Sequence, residues 1–359
     1  MNIIQIFPGK VWGGAEQYIL DLGTALEGAG HRVYWFARSK GAVPGRLQGR
    51  IPFTALPFSG LFDMRSADAL SMAIEDTGAD IVHIHDVRFV PVADRAVRRS
   101  GRNVRIVLTI HVARRKKVPV MARPAFKGLH NIIFVSDFAK CRWVSANPWM
   151  PDRKCRVVLN SVPEVAGLPC ESLREKYNIP EDIPLLVFAG RVRRSKGCAV
   201  IAEALSSLRD LPFHMVYIGA CKPRNYEKKL AALADRCGIG GRISFYGFTD
   251  NARQFVRQAD IGLAPSIVKE ACHLSPMEFM QAGKCVIASD NGAQTEYLRD
   301  MRNGMLVPPG DVQALSSAIR KAITDKALRV RLGEQAGLDF HEGLEYGRYL
   351  DRIIACYGL

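Results

Sequence analysis

Several signatures of other protein classes are missing from this chain of 359 residues. It has no C-x-x-C pair and no His/Cys cluster with zinc spacing, which excludes the usual redox and structural zinc motifs. No apolar run approaches the roughly 18–20 residues that a membrane-spanning helix needs. The chain begins MNIIQIFPGK, which is typical of a core strand and not of a signal peptide, because no basic segment precedes a long apolar stretch.

Cysteine usage and charge indicate the compartment and the partners. The nine cysteines are odd in number and scattered, which predicts reduced thiols in a cytoplasmic protein. The net charge is +15; residues 1–165 hold 24 Lys/Arg against 13 Asp/Glu, whereas the remainder holds 26 against 22. Because the positive excess lies in the N-terminal half, we expect an anionic partner for that half.

Short apolar runs alternate with helical patterns in two blocks, which predicts two α/β domains with parallel sheets covered by helices. The proline-rich segment 160–183 between the blocks predicts a linker with one short helix. The tail 341–359 has a helical pattern that could pack back across the domains. The predicted strands are 3–7, 33–37, 80–85, 104–110, 132–136, 184–190, 213–219, 242–247, 260–265 and 285–290.

Two loops that follow predicted strands could bind phosphate. In PGKVWGGAEQY, Gly9, Gly13 and Gly14 permit a tight loop with exposed amides ahead of a helix, although an ordinary strand-to-helix turn is the more common origin of such glycines. In GRVRRSKG, Arg191 and Lys196 flank a turn at a strand's carboxyl end and match a diphosphate. The alternative for this loop is a solvated basic turn, which is how we interpret its neighbours Arg193 and Arg194.

A pair of carboxylates, Glu270 and Glu278, lies in the segment EACHLSPMEF. If Ser275 caps a helix that begins at Pro276, Glu270 ends a loop and both carboxylates can face one cleft. The loop amides at 271–275 would then be available to sugar hydroxyls and phosphate. A capping-box contact between Glu278 and Ser275 is the structural alternative.

Histidines end two predicted strands. His83 and His85 share one face of the strand DIVHIH, and His111 follows VRIVLTI. Two strand ends terminating in histidine favour a cleft role and a satisfied core role about equally. Asp86 could pair with His85 or cap the next helix.

At these residues the chain resembles glycosyltransferase family 4, a retaining family of GT-B fold. Each matching fragment is weak alone, but nine of them occur in the family's order. They are GGAE (13–16), DIVHIHD (80–86), TIH (109–111), VVLNSVP (157–163), FAGRVRRSKG (188–197), ISFYG (243–247), the Glu270–Glu278 pair, QAGKCVIAS (281–289) with Glu296, and NGMLVPPGD (303–311).

The resemblance implies an α/β protein of two Rossmann-like domains facing across a cleft, with a C-terminal helix that crosses back. The acceptor-binding domain would be 1–163, the nucleotide-sugar-binding domain 164–340, and the returning helix 341–359. It implies catalytic roles for His111, Arg191, Lys196 and Glu270, with Glu16, His85 and His111 on the acceptor side. The implied donor-binding residues are Gly13, Gly14, Gly190, Arg191, Lys196, Glu270, Ala271, Cys272, His273, Leu274, Ser275 and Glu278.

The family mechanism keeps the anomeric configuration, needs no metal or other cofactor, and lets the leaving phosphate take the acceptor proton. The resemblance implies that Arg191 and Lys196 stabilise the diphosphate, that Glu270 holds the sugar and that Glu278 holds the ribose. This chain departs from the family at Ala271-Cys272-His273, where Gly-Phe or Gly-Gly is usual. We therefore expect donor specificity to be decided at these three residues.

Other activities fit the sequence less well. A sugar-nucleotide 2-epimerase or a non-catalytic sugar-nucleotide-binding homologue shares the architecture, whereas a retaining glycosidase has no need of a pyrophosphate cradle. Segment 111–128 mixes basic and apolar residues, which predicts contact with an anionic membrane surface at the inner face of the plasma membrane. Nucleic acid is not expected as a partner, because aromatic residues are not interleaved with these charges.

Overall fold

The chain divides into two units in the computed structural model, which describes residues 1–164 and 170–358. One unit is Met1–Asn160 with Gly347–Leu359, and the other is Ser161–Tyr346. The second unit therefore extends beyond the expected end at residue 340, as far as Tyr346, which is the first residue of the last helix. Residues 165–169 of the predicted linker lie outside the described residues.

Each unit contains a parallel sheet. The order in the first is β3-β2-β1-β4-β5-β6-β7, and in the second β10-β9-β8-β11-β12-β13. The strands are β1 (Asn2–Phe7), β2 (Arg32–Arg38), β3 (Thr54–Leu56), β4 (Ile81–Ile84), β5 (Arg105–Ile110), β6 (Asn131–Phe134), β7 (Cys155–Val157), β8 (Leu185–Ala189), β9 (His214–Ile218), β10 (Ile243–Gly247), β11 (Ile261–Ala264), β12 (Cys285–Ser289) and β13 (Met305–Val307).

Helices connect most successive strands, as is usual in a parallel sheet, and β12 and β13 are joined by a segment with only the short 3₁₀ helix Ala293–Glu296. The α-helices are α1 (Gly14–Gly28), α2 (Val43–Leu47), α3 (Met64–Thr77), α4 (Val90–Ser100), α5 (Arg123–Lys127), α6 (Asp137–Val144), α7 (Leu173–Lys176), α8 (Cys198–Ser206), α9 (Tyr226–Arg236), α10 (Ala252–Val256), α11 (Leu274–Gln281), α12 (Val312–Thr324), α13 (Lys326–Gly343) and α14 (Tyr346–Tyr357). Within the described residues, no helix is both long and apolar enough to cross a membrane.

The expected fold class is confirmed, and all ten predicted strands are present. Burial on both faces explains why they could be recognised: Ile4, Val82 and Leu186, for example, are fully buried in central strands. The strands that the sequence did not indicate, β3, β7 and β13, have three residues each, too few to show a period.

Polar side chains interrupt the core of the first sheet. Gln5, His83 and Thr109 are fully buried in the central strands β1, β4 and β5. Helix α14 covers this region: Arg105 donates to the Tyr357 carbonyl at 3.1 Å, and Asn131 donates to the Cys356 carbonyl at 2.7 Å. The end of the chain is thus fastened to the sheet of the first unit.

Candidate functional site

An ion pair lies at the carboxyl end of the second sheet. Lys196 Nζ is 2.9 Å from Glu270 Oε1, and both side chains are largely buried, with exposed fractions of 14% and 19%. Ser266 Oγ donates to the same carboxylate oxygen at 2.7 Å. The structure therefore brings together two residues that are 74 positions apart in the sequence.

Adjacent strands explain this proximity. Lys196 follows β8 and Glu270 follows β11, and β8 and β11 are paired. The two loops are joined by the Ile267 amide, which donates to the Ser195 carbonyl at 3.0 Å. The approach is close enough that a Cβ at Gly197, where φ is +78°, would lie 1.9 Å from the Pro265 carbonyl oxygen. The position following Lys196 therefore requires glycine.

The strand end of β12 supports Glu270 from the other side. The backbone of Glu270 forms a parallel bridge with Gly292, where φ is +81° and a Cβ would lie 2.5 Å from the Glu270 carbonyl oxygen. Asn291 donates its side-chain amide to the Ser266 carbonyl at 3.1 Å. Three loops thus fix the carboxylate at one position.

The electrostatics favour a charged carboxylate at Glu270. Burial alone would raise its pKa, but the charge of Lys196, the neighbouring His273 and hydrogen bonds from Lys196 and Ser266 lower the pKa to about 2. Burial lowers the pKa of Lys196, an effect that the Glu270 carboxylate partly offsets. Lys196 and Glu270 thus form a preorganised ion pair at the carboxyl ends of the strands. Open α/β proteins bind their ligands at these strand ends.

The segment between the two carboxylates differs from the expected geometry. Helix α11 begins at Leu274 with His273 as its N-cap residue, so the prediction that Ser275 caps the helix is wrong. Ser275 Oγ and His273 Nδ1 are both buried and have no hydrogen-bond partner among the described residues. Burial, together with the charge of Lys196, lowers the pKa of His273 to about 3, so this imidazole is neutral.

Glu278 lies in the fifth position of α11 and pairs with Arg253 at 3.0 Å. The capping-box contact to Ser275 is therefore not formed. Glu278 borders a cavity of about 300 Å³, which is also lined by Glu164, Arg253, Arg257, Gln281, Ala282 and His341. Arg191, Lys196 and Glu270 do not line this cavity, so it is separate from the ion pair.

The other residues predicted to bind the donor are close to Lys196 or Glu270 in the sequence. Arg191 is exposed, and Gly190 has a φ of +150° at the end of β8. Ala271 is buried, whereas Cys272 and Leu274 are partly exposed. Their roles toward a donor stay predictions.

The glycine loop of the first unit carries a carboxylate. Glu16 is the third residue of α1, which Gly13 caps and Gly14 begins, and its side chain is 7% exposed. A Cβ at Gly9 would lie 1.8 Å from Glu16 Oε1. A diphosphate at Gly13 and Gly14 would have this carboxylate as a neighbour, and the predicted phosphate contact stays a prediction.

The histidines of the first unit form a connected cluster. His85 Nδ1 is 3.0 Å from His111 Nε2, and the rings of His83 and His85 are 4.2 Å apart between centroids. Burial is the largest cause that lowers the pKa of His83 and of His111 to about 3, and it lowers the pKa of His85 well below its usual value. Asp86 does not pair with His85: its carboxylate accepts from the Arg88 amide at 2.8 Å and caps a short helix.

Sequence reasoning missed several residues of these sites. A polar residue within an otherwise apolar strand was the available signal for Gln5 and Thr109, whereas Tyr357 and Arg253 had no local signal. The missed residues are Gln5, Tyr18, Thr109, Arg253, Ser266, Gly292 and Tyr357.

Comparison with known proteins agrees with this geometry. The family model described as Glycosyltransferase Family 4 matches residues 12–164, and the model Glycosyl transferases group 1 matches residues 170–338. Both models describe glycosyltransferases and together they cover most of the chain, whose two Rossmann-like units have the GT-B architecture. The chain belongs to glycosyltransferase family 4.

Individual relatives are distant. The lipopolysaccharide 1,2-N-acetylglucosaminetransferase of Salmonella typhimurium is 27% identical over 67% of this chain and 64% of that enzyme. The phosphatidyl-myo-inositol mannosyltransferase of Mycobacterium leprae is 26% identical over 89% of this chain and 86% of that enzyme. Two further bacterial relatives are matched over 44% and 46% of their length. The crystal structure of Anabaena HepE in complex with UDP and glucose has a TM-score of 0.82 at 19% identity, with 99% of this chain and 98% of that chain covered.

Proposed function

We propose that the protein is a retaining glycosyltransferase that moves a sugar from a nucleotide-sugar donor to a glycan or glycolipid acceptor. The observation that carries this proposal is the Lys196–Glu270 ion pair at the strand ends of the unit matched by the group 1 model. A departing nucleoside diphosphate accumulates negative charge, which fixed cations stabilise in the transition state. Lys196 provides one such cation, and the exposed Arg191 on the same loop provides a second.

Glu270 has the matching role toward the sugar. Its carboxylate is held by Lys196 and Ser266 and accepts hydrogen bonds, so it is suited to orient a hydroxyl of the transferred sugar. The leaving phosphate takes the proton of the acceptor hydroxyl on the same face, and the anomeric configuration is retained. Lys196 and Arg191 supply the positive charge that a metal ion supplies in other transferases, so the reaction proceeds without metal.

The relatives support a lipid-linked or polysaccharide acceptor. The Salmonella enzyme is named for lipopolysaccharide and the Mycobacterium leprae enzyme for phosphatidyl-myo-inositol, whereas HepE binds UDP and glucose. A UDP-sugar donor and an acceptor in lipopolysaccharide or surface polysaccharide biosynthesis are therefore the first choices. Ala271, Cys272 and the neutral His273, which stand where the family has smaller or apolar residues, decide between donor sugars.

A donor panel tests the proposal. The protein is incubated with nucleotide sugars in EDTA, with and without glycolipid acceptors, and release of nucleoside diphosphate is measured. We expect release that depends on the acceptor and on one class of donor. An epimerised nucleotide sugar would instead identify a 2-epimerase, and absence of turnover with measurable nucleotide binding would identify a non-catalytic homologue.

The basic segment suits an anionic membrane surface. Arg114, Arg115, Lys116 and Lys117 are exposed, as are Val120 (72%) and Met121 (70%), which follow a few residues later. Cations attract anionic headgroups, while exposed apolar side chains can enter the interface. We expect the protein to sediment with anionic vesicles at low salt, and replacement of the four cations by glutamine to abolish this. Unchanged sedimentation of that variant would exclude the segment as the contact.

A further inference from the structure

Five polar side chains lie on one face of the first sheet. In the register of the parallel strands Gln5 is opposite His83, and His83 is opposite Val107, so residues two positions further along share that face. Gln5, His83 and Thr109 have no exposure and His85 has 5%, whereas His111, at the end of β5, is half-buried. Polar groups this deeply buried need hydrogen-bond partners, and here they provide them for one another. The five are Gln5, His83, His85, Thr109 and His111.

The contacts form a linear chain. Gln5 Oε1 is 2.8 Å from His85 Nε2, and His85 Nδ1 is 3.0 Å from His111 Nε2. On the other side, Gln5 Nε2 is 3.3 Å from His83 Nδ1, and His83 Nε2 is 2.7 Å from Thr109 Oγ1. The Tyr357 hydroxyl of α14 also contacts His83 Nδ1, at 3.0 Å.

Gln5 determines the direction of this chain. Its carbonyl oxygen can only accept, so His85 Nε2 carries the proton and donates. A neutral imidazole has one N–H, which leaves His85 Nδ1 as the acceptor for a proton on His111 Nε2. Burial keeps both imidazoles neutral, since it lowers the pKa of His111 to about 3 and the pKa of His85 well below its usual value. Nδ1 of His111 is then an unprotonated acceptor, and it has no partner among the described residues.

We propose that Gln5, acting through His85, is a positioning residue that fixes the tautomer of His111 and thereby presents its Nδ1 lone pair to a sugar hydroxyl. This rests on the proposed function for the identity of the hydroxyl, but not for the tautomer. His111 accepts this hydrogen bond as a neutral group. Tyr18, whose ring lies 4.6 Å from that of His111 between centroids in an edge-on arrangement, holds the imidazole laterally.

Nitrogen NMR tests the tautomer without any substrate. The full-length protein is labelled with ¹⁵N-histidine, and the His111 signals are assigned from their absence in His111→Asn. We expect a protonated Nε2 and an unprotonated Nδ1 for His111. A protonated Nδ1 would overturn the proposal, because it requires the Gln5 amide to have the opposite orientation and every donor in the chain to be reversed.

Two variants separate Gln5 from the rest of the cluster. Gln5→Met keeps the length of the side chain but removes the acceptor, so we expect His111 to become a mixture of both tautomers. Thr109→Val removes the contact to His83 Nε2 at the other end of the chain and is expected to leave the His111 tautomer as in the wild type. An unmixed His111 in folded Gln5→Met would also overturn the proposal. If Gln5→Met does not fold, His85→Phe breaks the same connection one step later and is expected to mix the tautomers likewise.

Kinetics then connect the tautomer to the reaction. We expect Gln5→Met to lower kcat about twofold with little change in the donor KM, since about half of the molecules then carry the unproductive tautomer of His111. A change in donor KM alone would contradict a positioning role toward the reacting sugar. If the wild type turns over no nucleotide sugar, the proposed function fails, while the NMR result still decides whether Gln5 sets the tautomer.

Discussion

The two units place different chemistry at the same edge of the same kind of sheet. In the first unit the strand ends carry buried neutral imidazoles joined by hydrogen bonds, and in the second they carry the Lys196–Glu270 ion pair. A parallel α/β sheet thus fixes where side chains meet but not their charge. A group transfer with an anionic leaving group needs fixed positive charge for the diphosphate, and of the two strand ends only that of the second unit carries it, at Lys196.

The largest expected effect comes from removing positive charge in the second unit. We expect Lys196→Ala and Arg191→Ala each to lower turnover by about 10²–10³, the usual cost of losing one group that stabilises charge in the transition state. The exposed Arg194 is the matched control, because it lies on the same loop, and Arg194→Ala should retain near-normal turnover. Near-normal activity of both Lys196→Ala and Arg191→Ala would remove the basis for the diphosphate assignment.

The sequence predicted the site of the second unit better than the site of the first. Lys196 and Glu270 were recognisable because each charged residue follows an apolar strand, and parallel strands end at one edge. The ion pair between them depends on the order of strands β8 and β11, which no local pattern encodes. The histidine chain depends on Gln5 and on Tyr357 from the far end of the protein, so the sequence could name His83, His85 and His111 but not their partners.

The start of helix α11 at Leu274 shows a second limit of prediction from local sequence. Ser-Pro is a common helix beginning, yet α11 begins one residue before Ser275, and His273 takes the cap position without a side-chain hydrogen bond. Tertiary contacts explain the shift: the Tyr297 hydroxyl donates to the His273 carbonyl at 2.8 Å, and Ser275 is buried. Local capping preferences of about 1 kcal/mol are readily outweighed by such packing.

Glycines next to the two sites differ in what blocks a side chain. At Gly197 a Cβ would meet backbone, whereas at Gly9 it would meet the end of the Glu16 side chain. We expect Gly197→Ala to lower the free energy of unfolding by about 2–4 kcal/mol, from a left-handed alanine and a displaced loop. Gly9→Ala should cost about 1 kcal/mol or less, because Glu16 can rotate. Denaturant unfolding followed by circular dichroism measures both, and equal losses would contradict the difference.

Acid should destabilise both units, because His273 of the second unit has a pKa lowered to about 3, like His83 and His111 of the first. His83 and His111 have pKa values lowered to about 3, so below pH 6.5 the unfolded chain binds protons that the folded chain does not. Stability is therefore lost as pH falls from 6.5 toward 3, by about 1.4 kcal/mol per histidine and pH unit. The pKa of Glu270 is lowered from 4.5 to about 2, so its contribution is present above 4.5 and is lost only below that pH.

Tryptophan fluorescence reports on the first unit alone, because Trp12, Trp35, Trp143 and Trp149 are the four tryptophans and all belong to it. We expect its denaturant midpoint to fall between pH 7.5 and 5.5, and His83→Gln to weaken that dependence. Glu270→Gln should leave the dependence unchanged in this range. A midpoint independent of pH in the wild type would mean that the imidazoles protonate without unfolding.

The smallest expected effect concerns the ion pair beside the cavity. Arg253 contacts the Glu278 carboxylate at 3.0 Å, and both side chains are about one-seventh exposed, at 15% and 14%. If Glu278 holds the ribose, Arg253→Gln loosens a group that binds substrate and transition state equally, so the donor KM should rise about three- to tenfold with kcat nearly unchanged. Arg257 lines the same cavity and serves as the control, since Arg257→Gln leaves the pair intact. A fall in kcat at constant KM for Arg253→Gln would contradict this. It would mean that Glu278 contributes to stabilising the transition state rather than to binding the ribose.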